Sequence, residues 1–462
     1  MRIEIDYIGL IQTAKIDVNS ITVIAGNNNT GKSTVGKVLY AVATGLNLLE
    51  PSKVLKEKAE TIANRLRRIN RIVPIDEETD SKISDLYVLL ISGLYMEADE
   101  ELSKEKWLSI VNSEASRNYT KEVELKFNAA IQSKVDGLFD NMLAKDRGNQ
   151  ESIVNLKNDL LWLLNKSIDD DDFKSNIMQK VFDIEFSQQI TNVNFMDDDA
   201  SISIQQINQP EIRLIFNKHK LRPDLSQIHT NRIFSKAIYI DDPFILDDKF
   251  ALSPGLLKKK NASLSHRGLV RELLMPTEGL EDENLFALDA REEKIDRLFT
   301  QVFNDGKLIY KNRSLYFKES NHAPLINFEN LSTGMKSFSI LYMLIQSNSF
   351  EECEYIILDE PEIHLHPDWQ LKYAELIVLV SKSFNLKLII ASHSPYFIEA
   401  IELYSKKHDY YDDLKFYRTV RDESTLNYTI EDVTNDLPLL YQDLANAFYS
   451  LEELRDELSD VE

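Results

Sequence analysis

The chain has 462 residues, 43% hydrophobic and 28% charged, enough for roughly three domains of about 150 residues as a prior. Its 13 glycines fall well under the usual ~7%, which favours a largely helical chain, and its single cysteine, Cys353, excludes a disulfide framework or a cysteine-rich zinc site. A formal charge of −23 repels nucleic acid and anionic membranes at long range and argues against a general DNA-coating protein, although it leaves room for a local basic groove. No apolar run approaches the ~18 residues of a membrane span. The opening stretch, with Glu4 and Asp6, lacks the layout of a signal peptide, so the expectation is a cytoplasmic protein with no membrane contact.

In chain order, Ile21 to Ala25 reads as a short buried strand. It runs straight into Gly26, Asn27, Asn28, Asn29, Thr30, Gly31, Lys32, Ser33 and Thr34, after which Val35, Val38, Leu39 and Val42 follow at helical spacing. This is G-x-x-x-x-G-K-[ST] between a strand and a helix. Small, turn-prone residues let successive backbone N–H groups wrap a polyphosphate at a helix N-terminus. Lys32 adds a charge to the β- and γ-phosphates, and Ser33 offers a hydroxyl to Mg²⁺. The pattern predicts a nucleoside triphosphate site.

A helix-rich stretch follows to about Phe173. Leu55, Ala59, Ile62, Leu66, Ile69 and Val73 step by four and three residues, a heptad-like seam that stops at Pro74. Phe127, Ile131, Val135, Leu138 and Met142 make a second amphipathic face. The runs Asp169 to Asp172 and Asp197 to Asp199 read as solvated loops. Residues 177–240 turn to period-two patterns (Ala200 to Ile204, Ile212 to Phe216), which predict antiparallel strands. Ala237 to Ile240 reads as a strand ending in Asp241-Asp242-Pro243. Residues 247–304 are helical again, and Lys307 to Phe317 is hairpin-like. Two basic patches interrupt the acidic background: Arg65, Arg67, Arg68 and Arg71, and Lys258, Lys259 and Lys260 with His266, Arg267 and Arg271. Such runs are ordinarily solvated faces; contact with DNA or RNA is the alternative, and it would be salt-dependent.

Ser332, in Leu331-Ser332-Thr333-Gly334-Met335-Lys336, precedes the periodic run Phe338, Leu341, Leu344 and Ile345, as a helix N-cap does. The apolar strand Tyr355 to Leu358 ends in Asp359-Glu360-Pro361-Glu362. A carboxylate at the mouth of a buried strand needs a cation or hydrogen bonds, so Asp359 suits a Mg²⁺ shell and Glu360 a base that polarises the attacking water. A third strand, Leu388 to Ala391, ends in Ser392-His393. In a parallel α/β sheet the carboxyl ends share one rim, where ligands bind. His364 and His366 form H-x-H, for which a metal site is the minority reading. Beyond His393 come two strand-like pieces and an amphipathic helix through Leu440, Leu444, Phe448, Leu451, Leu454 and Leu458, acidic at its end; it either packs on the rest of the molecule or docks a partner.

These four elements in this order resemble the ABC-type ATPases: Walker A, signature, Walker B with its glutamate, and switch histidine. The likeness is to the branch that includes the RecF, Rad50 and OLD families, whose E-P-E-x-x-L-H-P and T-H-S-P are matched by Glu360 to Pro367 and Ser392 to Pro395. It implies an α/β fold, an ABC-type P-loop ATPase head with an antiparallel β lobe and large helical insertions. It implies the cofactors ATP and Mg²⁺ and the catalytic residues Lys32, Glu360 and His393, with Ser33 and Asp359 as metal ligands. Ser332, Gly334 and Lys336 would contact the γ-phosphate held by a second copy, giving a homo-oligomer of head-to-tail dimers. Thr333 and Met335 depart from the glycine and glutamine that the signature prefers, and His366 from the aspartate of the transporter D-loop. Asp241 to Pro243 is the candidate for the Q-loop.

The expected division is head (1–45, with the P-loop), helical insertion (46–176), β-rich head (177–246), helical insertion (247–304), head with the remaining motifs (305–430) and C-terminal helix (431–462). No D-x-D pair ends a strand after His393, so the chain resembles an OLD-type motor without the TOPRIM nuclease. The resemblance extends to ATPase subunits of anti-phage systems such as Septu and PARIS, which implies slow ATP hydrolysis gating a separate nuclease or other toxic effector. A RecF-like DNA-binding clamp of repair or replication is the alternative.

Overall fold

The computed structural model describes residues 1–66, 69, 76–92, 121–145, 148–167, 170–229, 236–247, 264–274, 293–304, 306–311, 314–319, 323–351 and 353–459. The chain divides into two compact units, one of Met1–Thr44, Met178–Gln227 and Phe234–Glu462 and one of Gly45–Ile177 with Ile228–Ile233.

The first unit is built on an eleven-stranded sheet. Its centre is parallel: β3 (Ile21–Ala25) lies between β13 (Leu414–Arg421) and β12 (Lys387–Ser392), and β11 (Cys353–Asp359) and β7 (Lys236–Ile240) continue beyond β12. These strands are short apolar runs because both of their faces are covered. Ile21, Val23, Leu388, Ile390, Ile356 and Leu358 point to one side and share a core with Leu376, Ile377, Val380, Phe397 and Ile401. On the other side Tyr239 and Ile357 face helix α1 (Lys32–Leu48), which comes so close that a Cβ on Gly36 would stand 2.7 Å from Ile357 Cγ2. Past β13 the sheet continues through β14 (Tyr428–Asp432) to β2 (Ile11–Asp17), β1 (Arg2–Ile8), β4 (Ala200–Gln205), β5 (Ile212–Asn217) and β6 (Lys220–Leu221), antiparallel except where β14 runs alongside β2.

Register sets the functional rim. Leu358 stands opposite Ile240 and Ile390, Asp359 opposite Ala391, and Ser392 opposite Ala25. The residues that follow, Asp241, Glu360, His393 and Gly26, therefore leave the sheet at one level.

The second unit contains α2 (Pro51–Leu66), α3 (Glu77–Ser92), α4 (Lys121–Lys145) and α5 (Gln150–Asn165). Ile62, Leu66 and Ile69 of the predicted seam are buried with Ile131, Val135, Leu138 and Met142 of the second face. The side chains of Leu55, Ala59 and Phe127 lie outside the described residues, as does Val73. One expectation is corrected: Asp171 and Asp172 are not loop but the first turn of α6 (Asp171–Glu185), where negative charge meets the positive end of the helix dipole. Asp197 to Asp199 form an exposed turn.

The predicted hairpin is present as β8 (Lys307–Lys311) and β9 (Ser314–Lys318), with β10 (Ile326–Asn327) as a third strand. Within 247–304 the described parts include α7 (His266–Leu273) and α8 (Glu293–Phe303); Lys258, Lys259 and Lys260 lie outside the described residues. The C-terminal pieces are β13, β14 and the helix Leu437–Ser459. No described helix is long and apolar enough to cross a membrane.

Candidate functional site

The loop from Gly26 to Gly31 joins β3 to α1 and needs its glycines. A Cβ on Gly26 would sit 1.9 Å from Thr419 Oγ1, and Gly31 has φ +89°, a backbone state that glycine alone adopts freely. Thr30 Oγ1 donates to Asn27 O (2.8 Å) and accepts from Thr419 Oγ1 (3.0 Å), which ties the loop to β13. Lys32 is 4% exposed. Its ammonium donates to Gly26 O (2.9 Å) and Asn27 O (2.6 Å) and lies 3.5 Å from Glu360 Oε1. Burial lowers its pKa, and Glu360 opposes that.

Across the rim, Ser33 Oγ donates to Asp359 Oδ1 at 3.0 Å and the Tyr239 hydroxyl donates to Asp359 Oδ2 at 2.8 Å. Burial pushes the Asp359 carboxyl up, with Glu360 and Asp241 adding to it, while the two hydroxyls hold it back. A hydroxyl and one carboxylate beside a phosphate loop form the sparse donor set that Mg²⁺ uses when nucleotide phosphates and waters supply the rest. These residues therefore fit a Mg²⁺–triphosphate complex. No cluster of three or more His, Cys, Asp or Glu that could hold a metal occurs among the described residues. His366 instead caps α10 (Pro367–Phe384), accepting from Asp368 N, and His364 sits edge-on to Phe244.

Glu360 has φ +48° and His364 φ +68°. Left-handed backbone at non-glycine residues is strain of the kind that functional turns hold. The Glu360 N–H donates to Ala391 O (2.8 Å), which pins the turn to β12. Glu362, a site residue that the sequence does not single out, is buried. Its Oε1 accepts from Ser392 Oγ (2.6 Å), His393 N (3.0 Å) and Ser394 N (3.2 Å), and burial raises its pKa. His393 Nδ1 lies between the two carboxylates, 3.4 Å from Glu362 and 3.7 Å from Glu360.

Ser332 is the N-cap of α9 (Thr333–Gln346), accepting from Met335 N at 3.3 Å. Gly334 backs onto Trp369, so close that a Cβ would stand 2.8 Å from the ring. Lys336 is 2% exposed, and its ammonium donates to Asp247 Oδ2 (2.5 Å) and Glu329 O (2.9 Å) of its own subunit. Its ammonium is turned inward, not toward the position that the resemblance implies. Of the second basic patch, the three described residues have partners within their own subunit. His266 and Arg267 bind Asp241, His266 also binds Glu185, and Arg271 donates to Ile245 O. Arg65 faces Asp159 at 3.6 Å, and Arg67, Arg68 and Arg71 lie outside the described residues. Thr419 and Glu185 carried no readable signal, because only tertiary pairing gives them meaning.

The model of a family described as AAA ATPase domain matches residues 1–398. No curated protein matches the chain. Among solved structures the chain is similar to an Smc head bound to the C-winged helix domain of ScpA, at 10% identity and TM-score 0.40, covering 95% of this chain and 98% of that one. It is also similar to the Smc head domain with an extended coiled coil bound to the C-terminal domain of ScpA from Pyrococcus furiosus (13% identity, TM-score 0.31, 98% of each chain). A third is the SMC head domain from Thermotoga maritima (13% identity, TM-score 0.29, 57% of this chain and 87% of that one).

Proposed function

The chain belongs to the AAA ATPase domain family, and from that premise we propose that it binds ATP-Mg²⁺ between two copies and uses binding and slow hydrolysis to gate a separate effector. Its fold is that of an ABC-type P-loop ATPase head, and it is an ATP-binding ATPase. The observation that supports the hydrolytic part of this reading is the convergence of Lys32, Ser33, Asp359, Glu360 and His393 at one sheet rim, with Glu360 Oε1 3.5 Å from Lys32 Nζ and 3.7 Å from His393 Nδ1.

On this reading the loop from Gly26 to Thr34 wraps the triphosphate, and Lys32 turns its ammonium from the Gly26 and Asn27 carbonyls to the phosphates. Ser33 and Asp359 hold Mg²⁺, which when bound offsets charge on the β- and γ-phosphates. Glu360 accepts a proton from the water whose oxygen attacks the γ-phosphorus as the bond to the bridging oxygen breaks. His393, aligned by Glu362, donates to a γ-phosphate oxygen. Ser332 and the backbone at Gly334, at the N-terminus of α9, approach the γ-phosphate from a second copy, since a helix N-terminus suits an anion. Hydrolysis is slow because that copy must dock first.

The effector is a nuclease or other toxic subunit, as in the Septu and PARIS anti-phage systems that the motifs resemble. Among the described residues no observation favours the DNA clamp: His266, Arg267 and Arg271 are bound within their own subunit. Two measurements test the proposal. Glu360→Gln is expected to bind ATP with wild-type affinity and lose turnover by about 10²-fold or more; wild-type turnover would remove Glu360 as the base. Tagged Glu360→Gln, recovered from its host with ATP-Mg²⁺, is expected to carry a nuclease or toxic protein in fixed stoichiometry. Recovery of DNA and replication proteins alone would replace the effector reading with the clamp.

A further inference from the structure

Behind Asp359 lies a buried polar assembly that takes no part in the hydrolytic scheme. The Tyr239 hydroxyl reaches Asp359 Oδ2 from the neighbouring strand, 2.8 Å away. Its ring is 1% exposed and stacks on the His266 imidazole with centroids 4.5 Å apart and planes at 28°. Tyr40 flanks the pair, its ring 6.3 Å from Tyr239 and edge-on to His266 at 5.9 Å. On the α1 side Gly36 lies over the same ring: a Cβ there would make ordinary contact with Tyr239 Cζ at 3.6 Å, the clash being with Ile357.

His266 is clamped in turn. Its Nδ1 is 2.6 Å from Glu185 Oε2, its backbone N–H donates to Glu185 Oε1 (3.0 Å), and its Nε2 is 3.1 Å from Asp241 Oδ2. Arg267 closes on both Asp241 oxygens at 2.8 to 3.1 Å. Two carboxylates thus face two cationic groups, a balance without which buried charges would be expensive. The result is a platform on which the Tyr239 ring cannot swing away.

We propose that Tyr239, seated on the His266 clamp, is a positioning residue for the Mg²⁺–nucleotide complex: its hydroxyl fixes Asp359 Oδ2, so that the carboxylate presents its Oδ1 edge, beside Ser33, to the cation. The proposal rests on the nucleotide-site reading above. A fixed donor on Oδ2 removes rotational freedom of the carboxylate that binding would otherwise have to freeze. Glu185, His266 and Arg267 act only through this tyrosine and its neighbour Asp241.

The test is equilibrium binding of a fluorescent ATP analogue to the full chain, in Mg²⁺ and in EDTA. Wild type is expected to bind in both, more tightly with Mg²⁺. Tyr239→Phe keeps the stacked ring and loses one hydrogen bond to a charged group, so its affinity in EDTA is expected to match wild type while the gain conferred by Mg²⁺ shrinks about tenfold. In an Asp359→Asn background the same change is expected to alter that gain by less than about twofold, because the hydroxyl acts through the carboxylate. An undiminished Mg²⁺ gain in a folded Tyr239→Phe protein overturns the proposal, as does an equal loss in EDTA, which would mark a structural role. Wild type that binds nucleotide in neither condition overturns the underlying nucleotide reading instead.

Discussion

Glu360 and Glu362 stand two residues apart on one turn and have different tasks, set by their surroundings. Glu360 is partly exposed beside Lys32, whereas Glu362 is 3% exposed and holds the end of β12 through three donors on one oxygen. Glu362→Ala strands those donors and is expected to cost about 3 kcal/mol. Glu362→Gln keeps an accepting Oε1 and is expected to stay within about 1 kcal/mol of wild type; urea denaturation separates the two. Lys336 makes a parallel case. Its removal leaves Asp247 without its cation, so Lys336→Ala is expected to destabilise the protein by about 3 kcal/mol, where a residue acting only on a second copy's nucleotide would leave stability unchanged. His266 gives a pH signature. Burial alone would lower its pKa, but its bonds to Asp241 and Glu185 outweigh this and raise it to about 9 from 6.5. A raised cationic pKa contributes stability that is full below pH 6.5 and lost as pH rises through about 9, amounting to a few kcal/mol at most. Melting temperatures between those limits are expected to fall more steeply for wild type than for His266→Gln, and equal slopes would count against a charged His266.

At the scale of elements, α9 begins on a residue whose cap is observed and whose contact with a second copy's phosphate is proposed. Ser332 caps the helix whether or not it ever meets phosphate, and Ser332→Ala is expected to cost about 1 kcal/mol from the cap alone. Any larger fall in ATP turnover, at unchanged nucleotide affinity, measures its action on a second copy. The strands that lead to the candidate site were legible because each is an apolar run ended by a polar break: Ile21 to Ala25 before the glycine loop, Tyr355 to Leu358 before Asp359, and Leu388 to Ala391 before Ser392. The antiparallel strands at Ala200 and Ile212 were legible from their alternation. What could not be read was long-range pairing. His266 and Arg267 look like solvated cations in sequence, and only the fold brings Glu185 and Asp241 to them from sites 81 and 26 residues away. Lys336 sits where the signature motif suggests a role outside the subunit, yet Asp247 lies 89 residues upstream and draws it inward. The acidic run at Asp171 became a helix start because the apolar spacing of the following residues outweighed local polarity.

For the whole molecule, a charge of −23 means that two copies repel at long range, and in the proposed dimer ATP-Mg²⁺ and the contacts it bridges offset that repulsion. Association is therefore expected to strengthen with salt where screening dominates, whereas binding to a nucleic acid would weaken with salt. Sedimentation of Glu360→Gln protein with and without ATP-Mg²⁺ tests most directly the proposal that a second copy completes the nucleotide site. The account predicts monomers without nucleotide and a dimer with it, and the loss of that dimer in Glu360→Gln carrying Ser332→Arg, with labelled ATP still bound. Labelled ATP bound to Glu360→Gln with no increase in mass would contradict it.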